Sequence, residues 1–455
     1  MKTLLKIVLL AGILISISKN ANAQKPITWQ RTYGDGNIDY GYSIVQTPDE
    51  GYIAVGRKRI NTTSFMFAMR LNKYGDTIWT KTFLANEASQ IEMLSDSNYL
   101  ICSGFLNDPL IKINIDGNIL WTKNNSGGYI KPSIYSGFFL DRESSIIKYN
   151  DSGQFIWNFD YEKYLNNGNI IDFAIRQDNS ILIIGRIEDT LSIFNLFIIR
   201  TNDLGHFISL KKFSSNFLPA KIICLEFEKF VYTGYSVNGA STVMYDTSCN
   251  LIWSKTYDNG LPEYFETNSF IKTNDNGYAF AGTYSNGNFD YYMRILKADS
   301  IGNEQFRKLY GFGDADFGSN LRQTKDTGYV IIGIRDNYNL GDIYIVKADK
   351  TGYANPPVSI INYSSTTLSE YQLFQNFPNP FNPKTTLKFF IPQKDYVKLK
   401  VYNLMGFEVK SILNRFIFKG YYEINFDGSN LASGVYYCQL ETKNFTKTIK
   451  MLLIK

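Results

Sequence analysis

The chain has 455 residues, 44% hydrophobic and 16% aromatic, with 33 Tyr, 33 Phe, 34 Gly and a net charge of +5. That charge is divided: residues 371–455 hold 12 Lys+Arg against 5 Asp+Glu, net +7, whereas residues 24–370 hold 32 against 37, net −5, so the total is no argument for nucleic-acid binding. No long helical periodicity follows the first 20 residues, which excludes a helical body, and the aromatic and β-branched content suits half-buried sheets.

Residues 1–23 read as a signal peptide. Lys2 and Lys6 flank or enter an apolar run at 4–17, and Ala21-Asn22-Ala23 offers signal peptidase a small-x-small site before Gln24. The run is shorter than the roughly 20 residues a membrane span needs. No lipid-attachment cysteine follows at the junction and no transmembrane stretch follows later, so the mature protein is expected to be soluble after export.

Residues 24–350 are built from a unit repeated about seven times. All five tryptophans, Trp29, Trp79, Trp121, Trp157 and Trp253, fall at one position of it. The best copies join a glycine turn to an aromatic-bearing strand, as in Gly75-Asp76-Thr77-Ile78-Trp79, Gly117-Asn118-Ile119-Leu120-Trp121 and Gly153-Gln154-Phe155-Ile156-Trp157. Cys249-Asn250-Leu251-Ile252-Trp253 lacks the glycine, and Gly205-His206-Phe207-Ile208-Ser209 and Gly302-Asn303-Glu304-Gln305-Phe306 lack the tryptophan. Steps of 50, 42, 36, 52, 44 and 53 residues are near the span of four short strands, the period of a propeller blade.

Upstream of each aromatic a strand, a tight turn and a second strand ending in glycine recur, seen in residues 47–56, 273–282 and 324–333. Asp-x-Gly there is hairpin chemistry, with glycine accepting positive φ and aspartate bonding nearby N–H groups. The first unit is expected to hold strands at 43–46, 52–56, 67–71 and 78–83, and the inner strands of the others to begin near Ile91, Ser133, Ile170, Ile222, Phe270 and Leu321. The seventh unit has three strands of its own, so residues 29–33 are predicted to supply its fourth and close the ring. The expected fold is all-β: a seven-bladed β-propeller, with six blades as the alternative because unit three is irregular at 136–145, followed by a small Ig-like antiparallel β-sandwich.

Residues 351–370, with Pro356-Pro357 and a Ser/Thr run, read as a linker. From Tyr371 the chain runs Gln375-Asn376-Phe377-Pro378-Asn379-Pro380-Phe381-Asn382-Pro383. Then come Val397-Lys398-Leu399-Lys400-Val401-Tyr402-Asn403-Leu404-Met405-Gly406, Leu431-Ala432-Ser433-Gly434-Val435-Tyr436-Tyr437 and a terminal Lys450-Met451-Leu452-Leu453-Ile454-Lys455. The prolines keep the opening extended, the alternating runs read as sandwich strands, and Asn403–Gly406 and Asp427-Gly428 read as hairpin turns. Residues 371–455 resemble, motif by motif and in order, the type A C-terminal sorting domain of type IX secretion substrates. The resemblance implies that the outer-membrane type IX machinery is a partner, reading this domain after the signal peptide has carried the chain into the periplasm. It also implies that the domain is usually cleaved, leaving the cargo secreted or attached to the outer-membrane surface.

Catalytic machinery is not evident. His206, the only histidine, sits in a predicted turn, no phosphate or dinucleotide loop is present, and neither a cofactor nor a metal site is expected. Cys102, Cys224, Cys249 and Cys438 are widely spaced and read as buried free thiols. Two carboxylates would suffice to hydrolyse or eliminate a glycan. Tyr33-Gly34-x-Gly36-x-x-Asp39-x-Gly41 matches Tyr310-Gly311-x-Gly313-x-x-Asp316-x-Gly318, with Glu263 at the corresponding place in unit six. Two readings are open: each carboxylate ties down a loop, or the acids form a ring that meets a cation or a sugar. Loops at 57–64, 186–195, 283–290 and 335–342 vary, and Tyr284 and Tyr338, with Asn286, Asn288 and Asn339, suit carbohydrate or protein contact. The candidate binding residues are therefore Asp39, Glu263, Asp316, Tyr284 and Tyr338. The expected function is non-catalytic binding of a glycan or protein; the alternatives are a polysaccharide hydrolase or lyase and a structural surface component.

Overall fold

The computed structural model describes residues 26–455 apart from 35–37, 143, 166–167, 188–193, 216–217, 226–228, 237–238, 247, 258–263, 286–290, 312–314, 337–340, 355–369, 394 and 418–419. Residues 1–23, expected to be a signal peptide, and most of the expected linker at 351–370 lie outside the described residues.

Seven four-stranded antiparallel sheets precede the tail. In blade one the strands are Asp39–Gln46, Tyr52–Ile60, Thr63–Leu71 and Thr77–Phe83. The inner strands of blades two to seven are Gln90–Met93, Tyr129–Pro132, Gly168–Ile175, Leu218–Leu225, Tyr264–Lys272 and Asp316–Gln323. The seventh sheet takes its outer strand from the other end of the body: Trp29–Tyr33 pairs antiparallel with Gly341–Ala348, Trp29 opposite Lys347. The body is a β-propeller closed by its own N-terminal strand.

The core is divided among the junctions between blades. Seven separate apolar clusters each combine side chains from two neighbouring blades, including blades seven and one. Middle strands are sandwiched on both faces, which is why they read as continuous apolar runs: in blade four Ile181 and Ile183 face blade three while Leu182 and Ile184 face blade five. Each such side chain contributes on the order of 1.5–3 kcal/mol through its removal from water. Inner strands are also laced together. The N–H groups of Ile44, Ile130, Ile222 and Leu321 donate to Asn320, Gln90, Asp172 and Ser269 of the preceding blade, at 3.4, 3.0, 2.9 and 3.1 Å.

The glycine and the tryptophan of one sequence passage serve different junctions. In six blades the turn glycine lies under the aromatic ring from the outer strand of the preceding blade. A Cβ on Gly75, Gly117, Gly153, Gly205 or Gly302 would come within 2.5–3.1 Å of Trp29, Trp79, Trp121, Trp157 or Trp253, and Gly352 meets Phe306 in the same way. Trp29 and Trp79 add hydrogen bonds to the carbonyls of Lys73 and Ile115 in the covered turns, at 3.0 and 3.1 Å. Tyr33 and Tyr310 donate to the carbonyls of Gly75 and Gly352, both at 2.7 Å. Blade four has Ser209 where the ring would be, and blade five has Cys249, at φ +64°, where the glycine would be. Those two exceptions meet at one junction: without an indole overhead, a side chain is tolerated.

Beneath the aromatics lies a row of buried cations on the third strands. Arg70, Lys112, Lys297 and Lys347 are each at most 3% exposed and pair with turn acids Asp49, Asp96, Asp275 and Asp326 at 2.5–2.9 Å. Blade five has Met244 in this register opposite Trp253, and its turn has no aspartate. Blade three keeps Lys148 without an acid in its first hairpin turn; the ammonium donates to the Ser136 carbonyl at 3.1 Å, and burial lowers its pKa to about 8.

Three local expectations need correction. Ser133 follows rather than opens the inner strand of blade three, whose strands of four to six residues complete a regular sheet. Residues 57–64 are not a variable loop, because Tyr52–Ile60 and Thr63–Leu71 pair through Ile60 and Thr63 around a two-residue turn. Asp427-Gly428 is not a hairpin turn: it leads from one tail sheet to the other.

Taken by itself, the tail is a sandwich. A three-stranded sheet of Gln372–Leu373, Lys384–Ile391 and Gly420–Asp427 faces a four-stranded sheet ordered Glu408–Ile417, Asp395–Asn403, Gly434–Glu441, Thr446–Leu453. Their shared core includes Phe389, Leu399, Tyr422, Cys438 and Met451. All four cysteines are free, and burial raises the Cys438 thiol to about 12.

Candidate functional site

The meander of each blade puts the turns between strands one and two and between strands three and four on a lower face, where the glycine and aromatic contacts form. The upper face carries the blade-to-blade crossings and the turns between strands two and three. Asp39 and Asp316 lie on this upper side at the starts of inner strands, both buried, with Lys58 Nζ 3.6 Å from Asp39 and Arg335 Nε 3.7 Å from Asp316. Gly311 packs against the Asp316 carboxylate. Gly311 has φ +111°, and a Cβ there would come within 2.1 Å of Asp316 Oδ2. Asp39 also lines an opening of about 340 Å³ between blades seven and one, with Tyr33, Lys58, Thr77 and Thr80.

Other acids of the described inner strands do not gather around these two. Asp172 follows the bulge in the inner strand of blade four and accepts Lys131 Nζ at 2.7 Å and the Ile222 N–H at 2.9 Å. Burial opposes its ionisation, but Lys131 and Lys221 outweigh burial and hold the carboxyl below its ordinary range. Glu92 pairs with Arg322 at 2.5 Å, a bond between the inner strands of blades two and seven that passes blade one. Tyr284 belongs to the strand Tyr278–Ser285 rather than to a loop, with the buried Arg294 guanidinium 5.2 Å from its ring centre. His206 is exposed in its turn. Glu263, Asn286, Asn288, Tyr338 and Asn339 lie outside the described residues.

A different group converges on the upper face. A cleft of about 250 Å³ opens between blades two, three and four, lined among others by Tyr129, Asp141, Arg142, Tyr161, Glu162 and Asn169. Three glycines at its wall, Gly104, Gly128 and Gly168, leave it open. Tyr129 is 55% exposed, so one face of its ring is available to a ligand. Asp141 has no hydrogen bond to its carboxyl among the described residues. Burial, and then the negative charge of Asp172, raise its pKa to about 7 against the pull of Lys131 and Lys221. Burial also raises the Tyr161 hydroxyl, with Asp141 adding to the effect. The cleft thus joins an aromatic face to hydrogen-bonding side chains of both signs, one of them titrating near neutrality. Asp141 carried no repeat signature in the sequence; the irregularity of unit three was its only signal.

Residues 375–455 match the family of secretion system C-terminal sorting domains. A tail of this family implies export by type IX secretion and a destination outside the cell, free or attached to its surface. Among solved structures the chain is similar to Drosophila Plexin A, solved in complex with Semaphorin 1b, at 8% identity and TM-score 0.41, covering 72% of this chain and 87% of that one. It is likewise similar to Drosophila Semaphorin 1a, extracellular domains 1-2, at 8% identity and TM-score 0.43, covering 70% and 87%. No curated protein matches the sequence significantly. No helix among the described residues is long and apolar enough to cross a membrane.

Proposed function

We propose that the body is a non-catalytic glycan-binding module, carried out of the cell by its sorting tail and displayed or released there. The observation that carries this reading is the upper-face cleft, where the open ring of Tyr129 lies among Asp141, Arg142, Glu162 and Asn169. Sugars offer C–H faces that stack on aromatic rings and hydroxyls that both donate and accept, and pockets of this composition provide both kinds of contact. The domain division that fits is a signal peptide at 1–23, the propeller at 24–350, a linker at 351–370 and the sorting domain at 371–455.

The second reading is polysaccharide hydrolysis, favoured by Asp141, since a carboxyl near 7 is poised to donate a proton while Glu162 lines the same cleft. One experiment separates them: the full mature chain on a glycan array, with a reducing-sugar assay on every glycan bound. Binding without release of sugar ends is expected. Tyr129→Ala should weaken it at least about tenfold, the loss of one good stacking contact. Affinity should change between about pH 6 and 8 as Asp141 ionises, and that dependence should vanish in Asp141→Asn. Release of sugar ends that Asp141→Asn abolishes would establish the hydrolase instead.

A further inference from the structure

The tail contains the turn that the propeller uses seven times, without the aromatic cover that six of those turns have there. In every blade an Asn or Asp opens the turn that follows strand three, and its side chain accepts the N–H groups two and four residues on. Asn72 does so from Tyr74 and Asp76, both at 2.9 Å, and Asp299 from Ile301 and Asn303 at 3.0 and 2.8 Å. In the tail, Asn403 accepts from Met405 and Phe407, both at 3.0 Å. Gly406, at φ +81°, has the conformation of the six propeller turn glycines, which span +74° to +82°.

The surroundings differ. All six propeller glycines are covered by an aromatic ring of the adjacent blade, whereas nothing among the described residues lies within 4 Å of a Cβ built on Gly406. Around it Leu404, Met405 and Phe407 are 71, 82 and 67% exposed, and none belongs to the tail core. Folding of the sandwich gives no reason for three large apolar side chains at one hairpin tip. The tip is nonetheless held by its own bonds: the Asn403 N–H donates to the Phe407 carbonyl and the Gly406 N–H to the Asn403 carbonyl, both at 3.0 Å, and Lys400 pairs with Glu408 at 2.7 Å across the hairpin. A rigid, solvent-facing apolar knob is the arrangement of an interface hot spot before its partner arrives.

We propose that Asn403–Phe407 is the element by which the tail docks on the outer-membrane receptor of the type IX machinery. The receptor supplies an aromatic side chain over Gly406 and an apolar wall for Leu404, Met405 and Phe407, reproducing the contact that joins one blade to the next. The inference rests on the sorting assignment, because residues 375–455 are the matched segment and include the tip.

The test uses the full chain in a type IX-proficient cell, with the extracellular and periplasmic fractions measured by immunoblot. The triple variant Leu404→Ser, Met405→Ser, Phe407→Ser, and separately Met405→Arg, should lower the extracellular fraction at least about tenfold, since loss of a hot spot costs more than 1.4 kcal/mol. Purified variants should keep the parental melting temperature, because these side chains are already in water. Leu120→Ser, which removes an exposed apolar side chain from the propeller, should be exported normally. A benzophenone side chain at position 405 should capture an outer-membrane type IX component; capture of the propeller or of a second copy instead would overturn the proposal. Normal export of both tip variants, with the 371–455 deletion retained in the periplasm, would also overturn it. Normal export of the deletion itself would remove the sorting assignment beneath it.

Discussion

At the scale of single residues, the junction between blades four and five tests the aromatic-on-glycine contact in both directions. Ser209→Trp alone would drive an indole against the Cys249 side chain and is expected to destabilise the protein by about 1–3 kcal/mol, the cost of overpacking. Cys249→Gly alone should be near neutral, because relief at φ +64° is offset by the greater freedom glycine has in the unfolded chain. The double variant should recover the loss and restore the contact present at the other junctions. A double-mutant cycle from chemical denaturation should therefore give a favourable coupling of at least about 1 kcal/mol; additive effects would show that the two positions do not meet.

Much of this was legible from single residues, and the limits are physical. Spacing revealed that Trp29, Trp79, Trp121, Trp157 and Trp253 are equivalent, because a repeat needs the same apolar side chain at the same place in each sheet. Spacing could not reveal that the glycine four residues before Trp79, Trp121 and Trp157 belongs to another junction, since sequence order does not say which neighbour a turn touches. Arg57, Lys58 and Arg59 fall in the expected variable loop between two strands, yet they continue a strand, paired with Met66, Phe65 and Ser64 in turn. Asp141 could not be found in advance, because its raised pKa comes from packing against groups on other strands.

At the scale of the strand, the buried cations show what the hairpin aspartates do. Lys148 has no such acid, and Met244 shows that the register accepts an uncharged side chain of similar length. Lys148→Met is expected to raise stability by about 1 kcal/mol at pH 7, because replacing a poorly compensated buried charge by an apolar isostere is often favourable. The folded pKa lies below the ordinary lysine value, so the penalty is fully present below about pH 8 and fades as the pH rises towards 10.5. The gain in melting temperature should shrink over that interval; an equal gain at pH 6 and pH 10.5 would assign the effect to something other than charge.

At the scale of the whole molecule, closure depends on five residues. Removing 26–33 would leave the last sheet with three strands, expose the edge of Gly341–Ala348 and uncover Gly75, so the full chain should lose about 5 °C or more of melting temperature or aggregate through the bared edge. A synthetic peptide of residues 26–34 should restore the transition when added in trans. Unchanged melting after the deletion would mean that the seven clusters hold the ring without its outermost strand there.

The same closure sets a timetable for biosynthesis. Gln30 and Tyr344 share a hydrogen bond across 314 positions of sequence, so the leading strand leaves the ribosome long before its partner exists. Until then it is an unpaired, tryptophan-bearing ribbon, and the front blade lacks the neighbour that shields it. The nascent chain must either be held open by a chaperone or tolerate a half-made circle, and the last turn of the wheel to be synthesised is the one that releases it.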